Sequence, residues 1–249
     1  MSGEDASVVL PPNAETLADP AAVAARAAEH LVSACETAPA ERVAVCLSGG
    51  STPKLLYALL ARPPLRDRLP WGRLHWFFGD DRVVPWDDPS SNVRMAAEAF
   101  GTDAPIPPEN LHRIDPAGGA EAAAERYGAA LAGFFGVARP DPATPLFDLV
   151  LLGLGEDGHT ASLFPGTAAL AVSDAWTAPV PKPGLAPFVP RVTLTFPALA
   201  ASRAVLFLVT GAGKRAPLTR LAAGEDLPAA RVTSAGRISW LIDAAAAGA

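Results

Sequence analysis

Cysteine and lysine are scarce in this chain of 249 residues, and it contains no long apolar run. Only Cys35 and Cys46 are present, which excludes a disulfide framework and a cysteine-rich zinc site and is typical of a reducing compartment. The longest stretch without charge or hydroxyl groups, Gly128 to Ala138, is far shorter than the ~18–20 residues of a transmembrane helix. Since Met1 to Asp5 carry acidic rather than basic side chains, we expect no secretory signal and a cytoplasmic protein.

Basic charge is also in short supply. Twenty Lys and Arg residues face 26 Asp and Glu residues, a net charge of −6, which argues against nucleic acid or an anionic membrane surface as partner. Half of the residues are hydrophobic and 18% are charged, so the chain can bury a sizeable core and disorder is disfavoured. We see neither an internal repeat nor a linker between domains, and we expect residues 1–249 to form a single domain.

Strands and helices alternate along the sequence. Asp19-Pro20 and Thr52-Pro53 each combine an N-cap residue with a proline of the first helical turn, and they predict helices that end near Ala34 and Ala61. Hydrophobic periodicity predicts strands over 42–48, 73–78, 147–152, 191–196, 204–209 and 238–242, helices over 91–100, 121–135 and up to 223, and an irregular segment over 179–190. Nearly continuous apolar strands that alternate with helices indicate an α/β fold, a doubly wound, mostly parallel sheet with helices on both faces.

Polar sequence follows four of the predicted strands, at the edge where open sheets of this kind bind ligands. These strand ends are 48–53, 79–82, 153–159 and 211–214. In the first, Gly49, Gly50, Ser51 and Thr52 lead directly into a helix, and backbone N–H groups at such a helix start favour an anion. We therefore predict a phosphate cradle there, with an ordinary helix cap as the alternative. It is not a P-loop, because no Gly-Lys-Ser/Thr closes it.

Three cations are candidates for the countercharge of that phosphate. Arg82 and Lys214 lie at strand ends, and Arg191 begins a strand. Arginine binds phosphate bidentately, whereas lysine acts as a point charge. The alternative for each is a solvated surface cation. Lys214 is one of only three lysines and stands between a glycine pair and a helix start, which favours a specific role.

His159 is the histidine that follows a buried strand directly, after Asp157-Gly158. A neutral imidazole accepts a proton from water near pH 7, and either Asp157 or Asp80 is placed to orient the ring and to stabilise the imidazolium. The alternative is a histidine that is hydrogen-bonded within a loop. Adjacent residues of a strand point to opposite faces, so we expect Asp80 to point inward and Asp81 to be partly structural. The alternative is a pair of carboxylates that both cap nearby N–H groups.

Gly153-x-Gly155-x-x-Gly158 also matches a dinucleotide fingerprint, and Asp174 lies at a fitting distance. Two carboxylates inside the motif would repel a pyrophosphate, and Pro165-Gly166 would end the required helix, so this interpretation is disfavoured. The sequence contains no serine-hydrolase elbow and no zinc-protease or cysteine-based metal motif. We expect no metal, because a site made of Asp80, Asp157 and His159 has little specific support.

Several segments together resemble the 6-phosphogluconolactonase family. They are Leu47–Pro53, Trp76–Pro85, Ser90–Asn92, Gly153–Gly166 and Arg191–Leu199, in the same order as in the family, within a resemblance that spans residues 8–243. The resemblance implies a Rossmann-like fold without a cofactor. It also implies hydrolysis of 6-phospho-D-glucono-1,5-lactone to 6-phosphogluconate in the oxidative pentose phosphate pathway. The expected partner is therefore a small-molecule sugar-phosphate lactone. We expect a monomer or a weak homo-oligomer.

The resemblance also implies roles for the candidate residues. The 6-phosphate would dock on Gly49 to Thr52 and the three cations, His159 would activate water at C1, and Asn92 would contact sugar hydroxyls. The group that stabilises the oxyanion is left open. Asp81 stands where these lactonases usually have glutamate, a departure of little consequence if Asp81 faces away from the substrate.

Two other functions, a related enzyme and a non-catalytic sensor, are alternatives to the lactonase. The related glucosamine-6-phosphate isomerase/deaminase typically has Phe-Asn-Glu-Pro after its Asp-Gly-His segment, and its glutamate assists ring opening. Here Thr160 to Pro165 follow and contain no carboxylate, which favours the lactonase. The second alternative is a non-catalytic sugar-phosphate sensor, and the presence of His159 and Asp80 argues against it.

Overall fold

The computed structural model describes residues 8–39 and 41–249, so the segment that underlies the expectation about a secretory signal lies outside the described residues. Its strands are β1 (Ala14–Leu17), β2 (Val43–Leu47), β3 (Leu74–Phe78), β4 (Asp80–Arg82), β5 (Leu111–His112), β6 (Leu149–Gly153), β7 (Thr177–Val180), β8 (Arg191–Leu194), β9 (Ala204–Val209) and β10 (Arg237–Asp243). Seven of them form one parallel sheet in the order β1-β10-β9-β6-β2-β3-β5. The other three form an antiparallel sheet in the order β4-β8-β7.

Helices cover both faces of the parallel sheet. They are α1 (Pro20–Thr37), α2 (Ser51–Leu60), α3 (Leu65–Arg68), α4 (Asn92–Phe100), α5 (Gly119–Phe135), α6 (Phe196–Ala200), α7 (Arg215–Ala222) and α8 (Ala244–Ala247). Trp76 and Phe77 are neighbours on β3, so their side chains point to opposite faces. Trp76 packs against Phe100 of α4, with 5.2 Å between ring centroids, and Phe77 packs against Phe134 of α5 at 4.9 Å. The predicted doubly wound α/β sheet is confirmed.

The order of the strands reverses between β2 and β6. From β2 the chain proceeds to β3 and β5 on one side, whereas β6 leads to β9 and β10 on the other. β2 and β6 are hydrogen-bonded neighbours, with Val45 opposite Leu149. Their carboxyl ends therefore flank a topological switch point, which is where open α/β sheets bind ligands.

Residues 79–82 differ from the expectation of a simple strand end. Asp80–Arg82 form β4, because they pair antiparallel with Arg191–Thr193 of β8. The strand predicted over 191–196 ends at Leu194, since the side chain of Thr195 accepts a hydrogen bond from the backbone of Ala198 and caps α6. The segment predicted as irregular over 179–190 begins with the last two residues of β7.

The predicted N-cap at Thr52 is also wrong. α2 begins at Ser51 after Gly50, whose φ of +110° is a conformation that favours glycine. The hydroxyl of Thr52 instead shares a hydrogen bond of 2.7 Å with the hydroxyl of Thr210 across the sheet edge. The Thr52 side chain therefore makes a tertiary hydrogen bond instead of the helix cap that the local sequence predicts. By contrast, the predicted cap at Asp19 is confirmed, because its carboxylate accepts from the backbone N–H of Ala22.

Candidate active site

A cleft of about 280 Å³ opens at the carboxyl edge of the parallel sheet, over the switch point. Its lining includes all but one of the predicted site residues: Gly49, Gly50, Ser51, Thr52, Asp80, Arg82, Asn92, His159, Arg191 and Lys214. The exception, Asp157, contacts His159 from outside the lining. The four polar segments separated by up to 166 positions in the sequence therefore converge on one cavity, as the parallel sheet requires.

The loop after β2 is held in a single conformation by its neighbours. A Cβ atom at Gly49 would lie 2.2 Å from the side-chain oxygen of Asn92, so only glycine fits there. The hydroxyl of Tyr57 donates to the carbonyl of Ser48 at 2.8 Å and accepts from its N–H at 3.0 Å. These contacts anchor the N-terminus of α2 at the cleft, where Gly50 and the first turn of the helix present backbone N–H groups suited to an anion.

Two guanidinium groups lie side by side on the opposite wall, that of Arg191 buried and that of Arg82 half-buried. Arg82 and Arg191 are directly opposite each other in the β4–β8 pair, and each has an Nε atom that is buried without a hydrogen-bond partner among the described residues. Burial, followed by the neighbouring charge of Arg82, holds the pKa of Arg191 below its usual range. An anion in the cleft would supply the missing acceptors and relieve this repulsion.

Asn92 links the two walls through its amide. Its side-chain oxygen accepts from Arg82 at 2.5 Å, and its side-chain nitrogen donates to the backbone carbonyl of Asp80 at 2.8 Å. The amide thereby orients Arg82 and fills the space over Gly49. Both ends of the amide are engaged within the protein, so a contact with sugar hydroxyls stays a prediction.

Asp80 and Asp81 point in opposite directions, as expected for neighbours on a strand. The carboxylate of Asp80 lines the cleft and accepts from the Ser162 hydroxyl at 2.5 Å. The carboxylate of Asp81 accepts from the backbone N–H groups of Asn92 and Val93 at the start of α4. Burial raises the pKa of Asp81 to about 6, against the lowering effect of these hydrogen bonds. Asp81 is thus a helix-capping residue that faces away from the cleft.

His159 is hydrogen-bonded to Asp157 and not to Asp80. Its Nδ1 lies 2.5 Å from a carboxylate oxygen of Asp157, and because that oxygen only accepts, Nδ1 carries the proton and Nε2 the lone pair. Partial burial alone would raise the pKa of Asp157, but the hydrogen bonds from His159 outweigh it and the pKa is lowered. The pair can therefore accept a proton at Nε2 while the carboxylate stabilises the charge.

The segment after β9 contributes Lys214 and a residue that the sequence analysis missed. Lys214 is half-buried at the cleft and has no ion pair within residues 8–39 and 41–249. Thr210 also lines the cleft and is bonded to Thr52, as described above. Its position between the last residue of β9 and Gly211, at a polar strand end, is the signal that could have identified it.

The glycines of the dinucleotide-like motif serve close packing instead. A Cβ atom at Gly155 would lie 2.0 Å from the ring of His159, and one at Gly158 would lie 2.8 Å from Leu227. No helix follows β6 within the motif, so the helix N-terminus that a pyrophosphate needs is absent from this described segment. Asp174 is exposed and pairs with Arg139 at 3.5 Å.

Two kinds of structure are absent from residues 8–39 and 41–249. No group of three or more His, Cys, Asp or Glu side chains there is arranged to hold a metal ion. Nor does any helix there have the length and apolar character needed to cross a membrane.

Comparison with known proteins identifies the family. Residues 18–240 match the family described as "Glucosamine-6-phosphate isomerases/6-phosphogluconolactonase". The chain is 40% identical over 239 residues to a 6-phosphogluconolactonase of Nostoc sp., covering 93% of this chain and 95% of the relative. It is 44% identical over 204 residues to one of Synechocystis sp., covering 80% and 81%.

Solved structures agree with this assignment. The 6-phosphogluconolactonase from Trypanosoma cruzi has a TM-score of 0.84 at 31% identity, covering 97% of this chain and 98% of that chain. A monomeric glucosamine-6-phosphate deaminase has a TM-score of 0.78 at 22% identity, covering 94% and 98%, which shows the shared fold alone. This chain belongs to the glucosamine-6-phosphate isomerase/6-phosphogluconolactonase family.

Proposed function

We propose that this protein hydrolyses 6-phospho-D-glucono-1,5-lactone to 6-phospho-D-gluconate in the oxidative pentose phosphate pathway. The observation that carries the proposal is a cleft that combines a carboxylate-bound imidazole with an anion site. In that site, backbone N–H groups meet two guanidinium groups whose Nε atoms lack a hydrogen-bond partner among the described residues. The names of the relatives that are 40% and 44% identical support it. Thr160 to Pro165, which follow His159, contain no carboxylate of the kind that the deaminase uses for ring opening.

Substrate binding is assigned to the phosphate end of the cleft. The 6-phosphate docks on the backbone N–H groups of Gly49 to Thr52, with Arg82, Arg191 and Lys214 as countercharges. Because this anchor is remote from the lactone carbonyl, its binding energy orients the reacting carbon against a fixed water and His159.

The chemical step is assigned to His159. Nε2 removes a proton from water as the oxygen bonds to C1, which gives a tetrahedral oxyanion and an imidazolium held by Asp157. The oxyanion then collapses, the bond between C1 and the ring oxygen breaks, and the imidazolium returns its proton to that oxygen. The products are the C5 hydroxyl and a carboxylic acid, which ionises in water. General-base help of this kind contributes about 10²–10⁴-fold.

One assay separates the lactonase from both alternatives. Purified protein is supplied with freshly prepared 6-phosphogluconolactone or with glucosamine 6-phosphate, while acid release and ammonia release are followed. We expect acid release well above the spontaneous rate and no ammonia. Ammonia release would identify a deaminase, and binding of the lactone without turnover would identify a sensor.

Five further expectations stay proposals. They are a single domain over residues 1–249, a cytoplasmic location, a monomer or weak homo-oligomer, the absence of nucleic-acid partners, and activity without a metal or cofactor. The continuous seven-stranded sheet supports the first, and the acidic net charge of −6 supports the fourth.

A further inference from the structure

Phe164 is a fully buried aromatic residue that lies against His159 without lining the cleft. The two ring centroids are 4.3 Å apart with an angle of 35° between the planes. The ring of Phe164 also faces Arg191, whose guanidinium carbon lies 5.1 Å from the ring centroid. One side chain therefore contacts both the proposed base and a proposed phosphate ligand.

The backbone between His159 and Phe164 is a tight, strained turn. Leu163 donates from its N–H to the carbonyl of Thr160 at 2.9 Å, and the Thr160 hydroxyl donates to the carbonyl of Gly153 at 2.9 Å. Ala161 within the turn has a φ of +48°, a left-handed conformation that residues with a side chain adopt only at a cost. The surrounding contacts thus hold the turn in one shape.

Two contacts other than the one with Phe164 limit the imidazole. The Asp157 carboxylate holds Nδ1, and the backbone at Gly155 lies so close that a Cβ there would overlap the ring. The hydrogen bond restrains the χ2 torsion, which is otherwise broad for histidine, only within the tolerance of hydrogen-bond geometry. Phe164 packs against the imidazole as a further restraint on the orientation of the ring and so on the position of Nε2.

We propose that Phe164 is a positioning residue that fixes the His159 imidazole for proton transfer, an inference that rests on the proposed lactonase function. It acts through His159, since it does not reach the cleft. The efficiency of a general base depends on holding it within hydrogen-bond reach of the attacking water, and displacement by 1 Å costs up to about 10²-fold in rate.

The first test is Phe164→Leu, with Phe147→Leu as the matched control. Both phenylalanines are fully buried, but Phe147 precedes β6 at the opposite end of the strand from the cleft. Both variants should lose similar thermal stability, since each leaves a similar cavity. We expect kcat to fall about tenfold in Phe164→Leu with a smaller change in KM, and to stay near normal in Phe147→Leu. Equal loss of kcat in both variants would overturn the proposal.

A double-mutant comparison separates positioning from general damage. In a His159→Asn background, Phe164→Leu should cause no further loss of kcat, because the group on which it acts is gone. Losses that multiply would show that Phe164 supports the site independently of His159, and would overturn the proposal.

A surface variant avoids a buried cavity altogether. Gly184 is exposed, and a Cβ there would lie 3.3 Å from the Cβ of Phe164, so Gly184→Ala pushes the ring by a few tenths of an ångström. We expect a several-fold loss of kcat, about what such a displacement costs, and none in Gly72→Ala, where a Cβ meets nothing within 4 Å. If kcat is unchanged in both Gly184→Ala and Phe164→Leu, the proposal is contradicted.

An NMR measurement decides the structural part without an assay. The ring current of Phe164 should displace the Cε1–H resonance of His159, which is assigned as the signal missing from His159→Asn. In Phe164→Leu that displacement should disappear. If the protein lacks lactonase activity but shows this change, the proposed function is refuted, while the restraint of the His159 ring by Phe164 is supported. If the His159 resonance is the same in Phe164→Leu, Phe164 does not restrain the ring and the proposal is refuted.

Discussion

The two walls of the cleft are built on different principles. The strand-end wall consists of residues 48–52, 154–159 and 210–214, which follow parallel strands and present backbone N–H groups, one imidazole and one lysine. The paired-strand wall consists of Asp80–Arg82 and Arg191–Thr193, where buried and half-buried charges lie on an antiparallel pair of strands. The first wall is partly open to water, whereas Arg191 on the second is only 4% exposed.

The two walls suit different parts of the reaction. Solvated loops can hold a base that must exchange protons with water. A buried guanidinium such as that of Arg191 keeps its electrostatic strength because little water screens it, but it destabilises the folded protein until an anion binds. We therefore assign proton transfer to the strand-end wall and most of the phosphate affinity to the paired-strand wall.

The largest effect should come from the strand-end wall. His159→Asn keeps the size of the side chain and removes the proton acceptor, so kcat should fall about 10²–10⁴-fold with little change in KM. His30→Asn, on α1 and outside the cleft, is the control and should retain kcat. Steady-state kinetics with fresh lactone measures both, and a His159→Asn enzyme with normal kcat would remove the proposed base.

The next effect concerns the paired-strand wall. Arg191→Met removes a charge-assisted contact with phosphate, worth roughly 1.5–3 kcal/mol, so KM should rise about 10- to 100-fold. Thermal stability should stay equal or rise, because the variant also removes a buried charge beside Arg82. Arg139→Met, at an exposed ion pair, is the control for both measurements. A large drop in melting temperature with unchanged KM would reverse the assignment of this wall.

A smaller effect is expected at the cation of the strand-end wall. Lys214→Met should raise KM about tenfold, less than Arg191→Met, since a half-exposed ammonium is screened by water and salt. Added salt should raise the KM of the unmodified enzyme more than that of the variant. Lys54→Met, whose lysine pairs with Glu98 at the surface, should leave KM unchanged. If Lys214→Met has the larger effect, the strand-end wall carries most of the phosphate affinity.

The smallest effect tests the structural half of the paired-strand wall. The pKa of Asp81 is about 6 in the folded protein and ordinary, near 3.9, in the unfolded chain. As the pH falls, the folded state takes up a proton at Asp81 before the unfolded chain does. The contribution of Asp81 to the free energy of unfolding therefore increases as the pH falls from about 7 to about 4 and is lost as the pH rises again. Asp81→Asn should lack this contribution.

Urea unfolding of both proteins at several pH values measures the difference. The free energy of unfolding of the unmodified protein should rise relative to that of Asp81→Asn as the pH falls. A constant difference would show that Asp81 does not titrate in this range. Because Asp81 faces α4, kcat should be unaffected in the variant.

Much of the strand-end wall could be predicted from the sequence. Apolar runs that end in glycine-rich polar segments marked the ends of β2, β6 and β9, and parallel strands must bring such ends to one edge. The cradle residues and His159 were therefore found without knowledge of the strand order. The choice between Asp80 and Asp157 as partner of the His159 ring was left open. Both lie at strand ends, and only the interatomic distances of the folded protein distinguish them.

The paired-strand wall could be predicted only in part. Arg82 and Arg191 were candidates one by one, but nothing local indicates that residues more than a hundred positions apart pair as β4 and β8. Thr210 was missed for a similar reason, since its hydroxyl has meaning only beside that of Thr52.

The sequence alone predicts the alternating elements, the parallel sheet and the edge at which its polar loops meet. These follow from periodicity, turn residues and helix caps, which act over a few neighbouring residues. Packing in three dimensions sets which charges face each other and which carboxylate is bonded to the imidazole. It also sets which polar atoms among the described residues lack a hydrogen-bond partner. Hydrogen bonds and charge interactions depend on ångström distances between segments remote in the chain, and those distances exist only once the core has packed.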